Sequence, residues 1–214
     1  MYIYCTTLFV RSKVPINLGS PECTDGPTPD VGMCSGGNVI VHNLTCIGSH
    51  GIAVGGIRHG DVKNVTFSNI TATGVPFDTQ GKYSPGGLRI KSYPNGTGKV
   101  HNILFESIEM RNVYMGIEVQ SLYCPGGGCN PGMQGVQFAN ITFRNIHART
   151  NSLAGKIKAE FLCSPFAHCV GILLDNVSLS TGGDQSEVAC SNAEVEFLGA
   201  SAPSQCTPAG KKKV

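Results

Sequence analysis

"NVIVHNLTC" (38–46) and "NVTFSNITA" (64–72) are two copies of one short pattern that decides the fold of this chain. In both copies apolar and polar side chains alternate, and Asn stands at the sixth position. Alternation with a period of two predicts a β-strand that buries one face. The pattern returns three more times, in "NILFESIEM" from Asn102, "GVQFANITF" from Gly135 and "GILLDNVSL" from Gly171.

A second, shorter strand follows each copy except the last. These strands are "GIAVG" from Gly51, "GLRIK" from Gly87, "GIEVQ" from Gly116 and "GKIKA" from Gly155. Stacking equivalent strands of successive repeats buries their inward side chains in one continuous column. The sequence therefore predicts an all-β protein, a right-handed single-stranded parallel β-helix, with inward Asn side chains forming a hydrogen-bonded ladder.

Two other architectures fit the pattern less well. A β-sandwich needs antiparallel hairpins, and tight Asn-Gly turns are absent between these strands. Helical repeats need apolar spacing near 3.6 residues, which these segments lack. We expect residues 38–206 to form the β-helix, preceded by an irregular segment (1–37) and followed by a basic tail (207–214).

Composition limits the classes of function. Charged residues make up 14% of the 214 residues and the net charge is +2, too weak a basic character to indicate nucleic-acid binding. No apolar run is long enough to predict a membrane span. Ten cysteines and six Asn-x-Ser/Thr sequons favour a secreted protein, extracellular or in a cell wall, with disulfides. The sequons begin at Asn43, Asn64, Asn69, Asn95, Asn140 and Asn176.

The short cysteine spacings predict particular disulfides. Cys124–Cys129, Cys163–Cys169 and Cys190–Cys206 are the expected pairs, and Cys34–Cys46 is a candidate fourth pair. A zinc site would use closer Cys pairs or nearby His ligands, so we expect no metal site.

Aligning the short strands on their glycines brings polar groups together. The inward positions of "GLRIK" are Leu88 and Ile90, so Arg89 and Lys91 point outward on one solvent-facing wall. Small residues fill the matching positions of the preceding coil, and His50 stands at its entrance. Such a cluster suits an anionic, hydroxyl-rich ligand, because Arg grips a carboxylate with two parallel hydrogen bonds and Lys adds a point charge. An ordinary solvated strand face is the alternative interpretation.

"CIGSHGIAVGGI", "GGLRIKSY" and "VQSLYCPGGGC" together resemble the polygalacturonases, glycoside hydrolases that cleave pectin. The resemblance runs from about Asn38 to Cys206. It implies that Arg89 and Lys91 hold the substrate carboxylate, that Tyr123 lines a sugar subsite and that His50 supports the catalytic carboxylates. It also implies inverting hydrolysis of α-1,4-galacturonan without a cofactor, by a protein that we expect to be monomeric.

The chain departs from this family pattern upstream of the first repeat. Family members carry one Asp in an Asn-Thr-Asp-Gly turn and an adjacent Asp pair one coil later, and no Asp-Asp pair occurs in this sequence. Asp25, in "TDG", resembles the first turn, whereas Asp30 and Glu118 match no family motif. About one coil is therefore expected to be missing. A non-catalytic polysaccharide-binding β-helix stands as the alternative to the hydrolase, and a pectate lyase is disfavoured because no calcium-binding carboxylate cluster is apparent.

Overall fold

A computed structural model describes residues 4–6, 9–12, 36–48, 51–74, 86–124, 126–129, 132–150, 158–181, 184–185, 187–199 and 206 of the chain. The strands are β1 (Tyr4–Thr6), β2 (Phe9–Ser12), β3 (Gly36–Ile47), β4 (Ile52–Thr73), β5 (Leu88–Arg111), β6 (Met115–Gln120), β7 (Gln137–Thr150), β8 (Lys158–Leu162), β9 (Cys169–Thr181), β10 (Asp184–Gln185), β11 (Glu187–Ser191) and β12 (Ala193–Leu198). Within the described ranges no helix is long and apolar enough to cross a membrane.

Two stacks of parallel strands form the right-handed β-helix. The outer stack runs β3, β4, β5, β7, β9 and β12, each strand pairing in parallel with the next. The second stack, here called the wall, contains Ile52–Gly55, Leu88–Lys91, β6, β8 and β11. The predicted parallel β-helix is therefore confirmed, because β4 and β5 pair in parallel along both stacks.

The inward faces of both stacks enclose one apolar column. Phe105 lies at its centre, completely buried, with its ring stacked 4.9 Å from that of Phe67 and 5.1 Å from that of Phe143. The parallel register places these three rings at equivalent positions of successive coils. The same alternation that predicted the strands thus supplies a continuous core.

The sixth-position Asn residues were expected to form an inward ladder, but they bond on the outside of the outer stack, where Asn69 Nδ2 donates to Oδ1 of Asn43 and Asn176 Nδ2 to Oδ1 of Asn145. The first-position Asn residues form a second and longer ladder, also on the outside. Each Nδ2 donates to the Oδ1 of the preceding coil: Asn64 to Asn38 at 3.0 Å, Asn102 to Asn64 at 3.0 Å and Asn140 to Asn102 at 2.8 Å. These four residues have φ between 53° and 59° and are exposed. The inward placement was therefore wrong. Asn is selected because it tolerates left-handed backbone and its amide reaches the next coil at a bend.

The fourth copy of the repeat lies five residues later than predicted. Ile103 pairs with Ile141, so "NITFRNIHA" from Asn140 is the equivalent of "NILFESIEM", rather than "GVQFANITF" from Gly135. Both segments alternate and both carry Asn at the sixth position, so the pattern alone could not separate them. Packing of Phe143 on Phe105 fixes the register.

Two short strands also differ from the predictions. The wall strand predicted from Gly155 is "KAEFL", which places Ala159 against Ile117 and Phe161 against Val119. In this register the fully buried Phe161 enters the core. The predicted register would put a Lys at that position, and burying its charge would be strongly unfavourable. The last repeat also has a wall strand, β11, although none was predicted there.

The three short-range disulfides are present. Their Cα separations are 6.0 Å for Cys124–Cys129, 5.9 Å for Cys163–Cys169 and 5.4 Å for Cys190–Cys206. Cys46 is also disulfide-bonded. Cys34, its predicted partner, lies outside the described residues, so that pairing stays a prediction.

Candidate functional site

The wall carries its charged side chains in the predicted register. Arg89 lies between Ala53 of the preceding coil and Glu118 of the following coil. Lys91 lies in the same way between Gly55 and Gln120. Because Leu88 and Ile90 are fully buried in the core, Arg89 and Lys91 project from the opposite face of the strand.

The wall is nevertheless not solvent-facing at these cations. Arg89 and Lys91 are each only 6% exposed, and Glu118 is 4% exposed. The Arg89 Nε donates a hydrogen bond to Oε2 of Glu118, so the two buried charges form an ion pair. The expectation of an open face was wrong, because alternation along one strand says which way a side chain points but not what packs over it.

Tyr123 comes to the wall from the next coil. Its ring centroid lies 4.1 Å from the Lys91 ammonium, a cation–π contact. The backbone N–H of Tyr123 donates to the Ser92 carbonyl at 2.9 Å, which holds the start of the turn against β5. The structure therefore joins Arg89, Lys91 and Tyr123, three of the residues that the sequence assigned to one site.

Two glycines shape the side of the wall that faces the preceding coil. A β-carbon at Gly51 would lie 2.5 Å from the Gly87 carbonyl oxygen and 2.9 Å from Cδ of Arg89. One at Gly55 would lie 3.0 Å from the backbone nitrogen of Lys91. Glycine at these positions lets the backbone approach the stem of Arg89 and the strand that carries Lys91.

The proposed acid–base residues are not placed. His50, Asp25 and Asp30 lie outside the described residues, so their roles stay predictions. Gly51, which directly follows His50, lies beside the Arg89 stem. Within the described part of the chain, no group of His, Cys, Asp and Glu side chains could hold a metal ion.

Sequence reasoning missed two residues that border the wall. Tyr93 is only 8% exposed and packs edge-on against Tyr123, with ring centroids 6.0 Å apart. The guanidinium carbon of Arg58 lies 4.1 Å from the centre of the Tyr93 ring. Tyr93 stands two positions after Lys91 in "RIKSY". Its contacts with Tyr123 and Arg58 arise from the stacking of coils and cannot be read from the sequence.

Comparison with known proteins places this parallel β-helix in a class of carbohydrate-cleaving proteins. Residues 30–202 match the family described as glycosyl hydrolases family 28. The chain is 32% identical over 79% of its length to a polygalacturonase of Prunus persica and 31% identical over 81% to an exopolygalacturonase of Arabidopsis thaliana. It is also 32% identical over 73% of its length to a probable endopolygalacturonase of Aspergillus niger.

The chain belongs to glycosyl hydrolases family 28. It spans 42%, 38% and 30% of the lengths of these three relatives, respectively. Family membership therefore rests on most of this chain, whereas the comparison covers less than half of each relative.

Proposed function

We propose that this protein is a pectin-directed glycoside hydrolase that binds α-1,4-galacturonan along the wall. The observation that carries the proposal is the pair of adjacent buried cations, Arg89 and Lys91, bordered by Tyr123, in a chain of family 28. The polygalacturonase names of its relatives support the same substrate.

The chemistry of the cations fits a uronate ligand. A carboxylate that reaches the wall gains charge-assisted hydrogen bonds, and these are stronger where water is excluded. Glu118 neutralises part of this charge through its ion pair with Arg89. Tyr123 places the face of its ring against the ammonium.

Inverting hydrolysis needs two carboxyl groups roughly 6.5–9.5 Å apart, one to protonate the leaving oxygen and one to activate water. We propose Asp25 as one of these groups and His50 as the residue that supports the carboxylates. We further propose that the protein acts as a secreted monomer, for which the three described disulfides are supporting observations.

A second candidate function, non-catalytic polysaccharide binding, is favoured by one specific observation. The sequence has no adjacent Asp pair, and the buried carboxylate of the wall, Glu118, is engaged by Arg89. A chain that kept the wall but lacked a second catalytic carboxylate would bind galacturonan without cleaving it.

Binding and cleavage are tested separately on the purified protein. Calorimetry with oligogalacturonate should show binding that Lys91→Gln weakens by about 10-fold or more, since a hydrogen bond to a charged group contributes roughly 1.5–3 kcal/mol. Lys99→Gln removes an exposed lysine of the same strand, β5, outside the wall and should leave affinity unchanged. Equal effects of both variants would refute the assignment of the wall.

Reducing-end release from polygalacturonate then separates the two candidate functions. Release that Asp25→Asn and His50→Ala abolish supports the hydrolase. Binding without release supports the binding module, and absence of both contradicts each candidate.

A further inference from the structure

A row of three side chains, here called the corner row, follows the wall strands where the coils turn toward the outer stack. Arg58, Tyr93 and Tyr123 occupy this row in successive coils. Arg58 lies over the Tyr93 ring at 4.1 Å, and Tyr93 packs edge-on against Tyr123 at 6.0 Å. Pairing of Ile57 with Ser92 fixes the register of the first two coils.

The corner row borders the wall directly. The Lys91 ammonium lies 4.1 Å from the centre of the Tyr123 ring, so a tyrosine pair stands between two cations. Lys91 is at one end of the pair and Arg58 is at the other. Positive charge thus extends from the wall toward the coil that contains Gly51 and Ala53.

Arg58 differs from the wall cations in its surroundings. Its side chain is exposed, whereas Arg89 and Lys91 are buried. Among the described residues, no carboxylate forms an ion pair with Arg58, in contrast to the pairing of Arg89 with Glu118. A guanidinium that is already held on a buried aromatic ring loses less side-chain freedom on binding a carboxylate than one that moves freely in solvent.

We infer that Arg58, supported by Tyr93, forms a further subsite for a second carboxylate of a polyuronate chain. This inference rests on the proposed function, in which Arg89 and Lys91 bind one carboxylate of the same chain. A polyuronate repeats its negative charge at every sugar, so a second cation along the bound chain adds affinity only when the ligand is long enough to reach both.

The dependence on ligand length provides the test. Affinity for monogalacturonate and for a series of longer oligogalacturonates is measured by calorimetry on the parent protein, on Arg58→Gln and on Arg111→Gln. Arg111 is an exposed arginine at the far end of β5 and serves as the matched control. Arg58→Gln should bind the longer oligomers about fivefold more weakly, the upper range for an exposed ion pair, and bind the monomer as the parent does.

Two further arms separate ligand contact from a structural role. Arg58→Lys should recover part of the lost affinity, and the Arg58→Gln effect should shrink at high salt and vanish with methyl-esterified oligomers. Unchanged affinity of Arg58→Gln at every length, while the parent still binds, overturns this inference and leaves the proposed function standing. Failure of the parent to bind any oligomer overturns both.

Discussion

The inward row of the outer stack and the outward row of the wall belong to the same coils, yet they differ in the side chains that they stack. In the outer stack the same side chain recurs from coil to coil, as in the stacked Phe67, Phe105 and Phe143. Along the outward row of the wall the residue changes in charge and size, from Ala53 to Arg89 to Glu118, and Glu recurs once, at Glu160. The recurring inward rings stabilise the coils by stacking, whereas the outward row of the wall brings unlike side chains together.

The contrast is sharpest where charge is buried. The charged groups at outward positions of the outer stack, such as Glu106, Arg144 and Asp175, are only half-buried, so they cost little to place there. The wall buries Arg89, Lys91 and Glu118, which is unfavourable unless the charges are paired. Buried charges are not required for the stability of a repeat. Their presence in the wall therefore indicates that the wall has a function beyond stabilising the coils.

The largest expected effect comes from removing the centre of the recurring column. Phe105→Ala should lower the free energy of unfolding by about 3–5 kcal/mol, because it opens a cavity between two stacked rings. Denaturant unfolding measures the loss. Phe166→Ala, at a 55% exposed site, is the matched control and should change stability little. Similar losses for the two variants would contradict the role of the column.

Breaking the wall ion pair should have the next largest effect. Glu118→Ala leaves Arg89 buried without this carboxylate, and the expected loss of stability is about 3 kcal/mol. Glu109→Ala, on the exposed side of β5, should be nearly neutral.

A double-mutant cycle sharpens this second prediction. Arg89→Ala combined with Glu118→Ala should cost less than the sum of the two single changes, because the second change removes a charge that the first left uncompensated. Strict additivity would mean that the pair does not couple, and the wall would then resemble an ordinary strand face.

Sequence reasoning recovered the features that depend on local alternation. It predicted the parallel stacking, the register that sets Arg89 beside Glu118 and three disulfides, because each follows from period-two patterning or from short spacing. It misplaced the fourth repeat, because "GVQFAN" and "NITFRN" satisfy the same pattern. It also took the wall for an exposed face, since burial depends on neighbours that are distant in sequence.

Substitutions in the Asn ladder distinguish the contribution of backbone conformation to stability from that of side-chain hydrogen bonding. Asn102→Ala should cost about 1–2 kcal/mol, because Ala is disfavoured at the φ of 57° found there and cannot join the ladder. Asn102→Gly relieves the backbone strain and should cost about 1 kcal/mol less. Gly171, with φ of 63°, already occupies the equivalent position two coils later. Thermal unfolding of the two variants measures the difference, and equal losses would show that hydrogen bonding alone selects Asn.

The smallest expected effect concerns a charge row on the surface of the outer stack. Arg144 lies between Asp175, at 3.1 Å from Nε, and Glu106, at 3.5 Å from Nη1. The hydrogen bond to Asp175 raises the pKa of Arg144. Arg144→Gln should nevertheless lower the melting temperature by less than Asn102→Gly does, because exposed ion pairs are screened by water and salt. Arg149→Gln, an exposed arginine of the same strand, is the control, and the difference between the two variants should disappear at high salt. A loss of stability as large as that of Glu118→Ala, or one insensitive to salt, would contradict this prediction. A solvated charge row would then stabilise the β-helix as strongly as the buried ion pair of the wall.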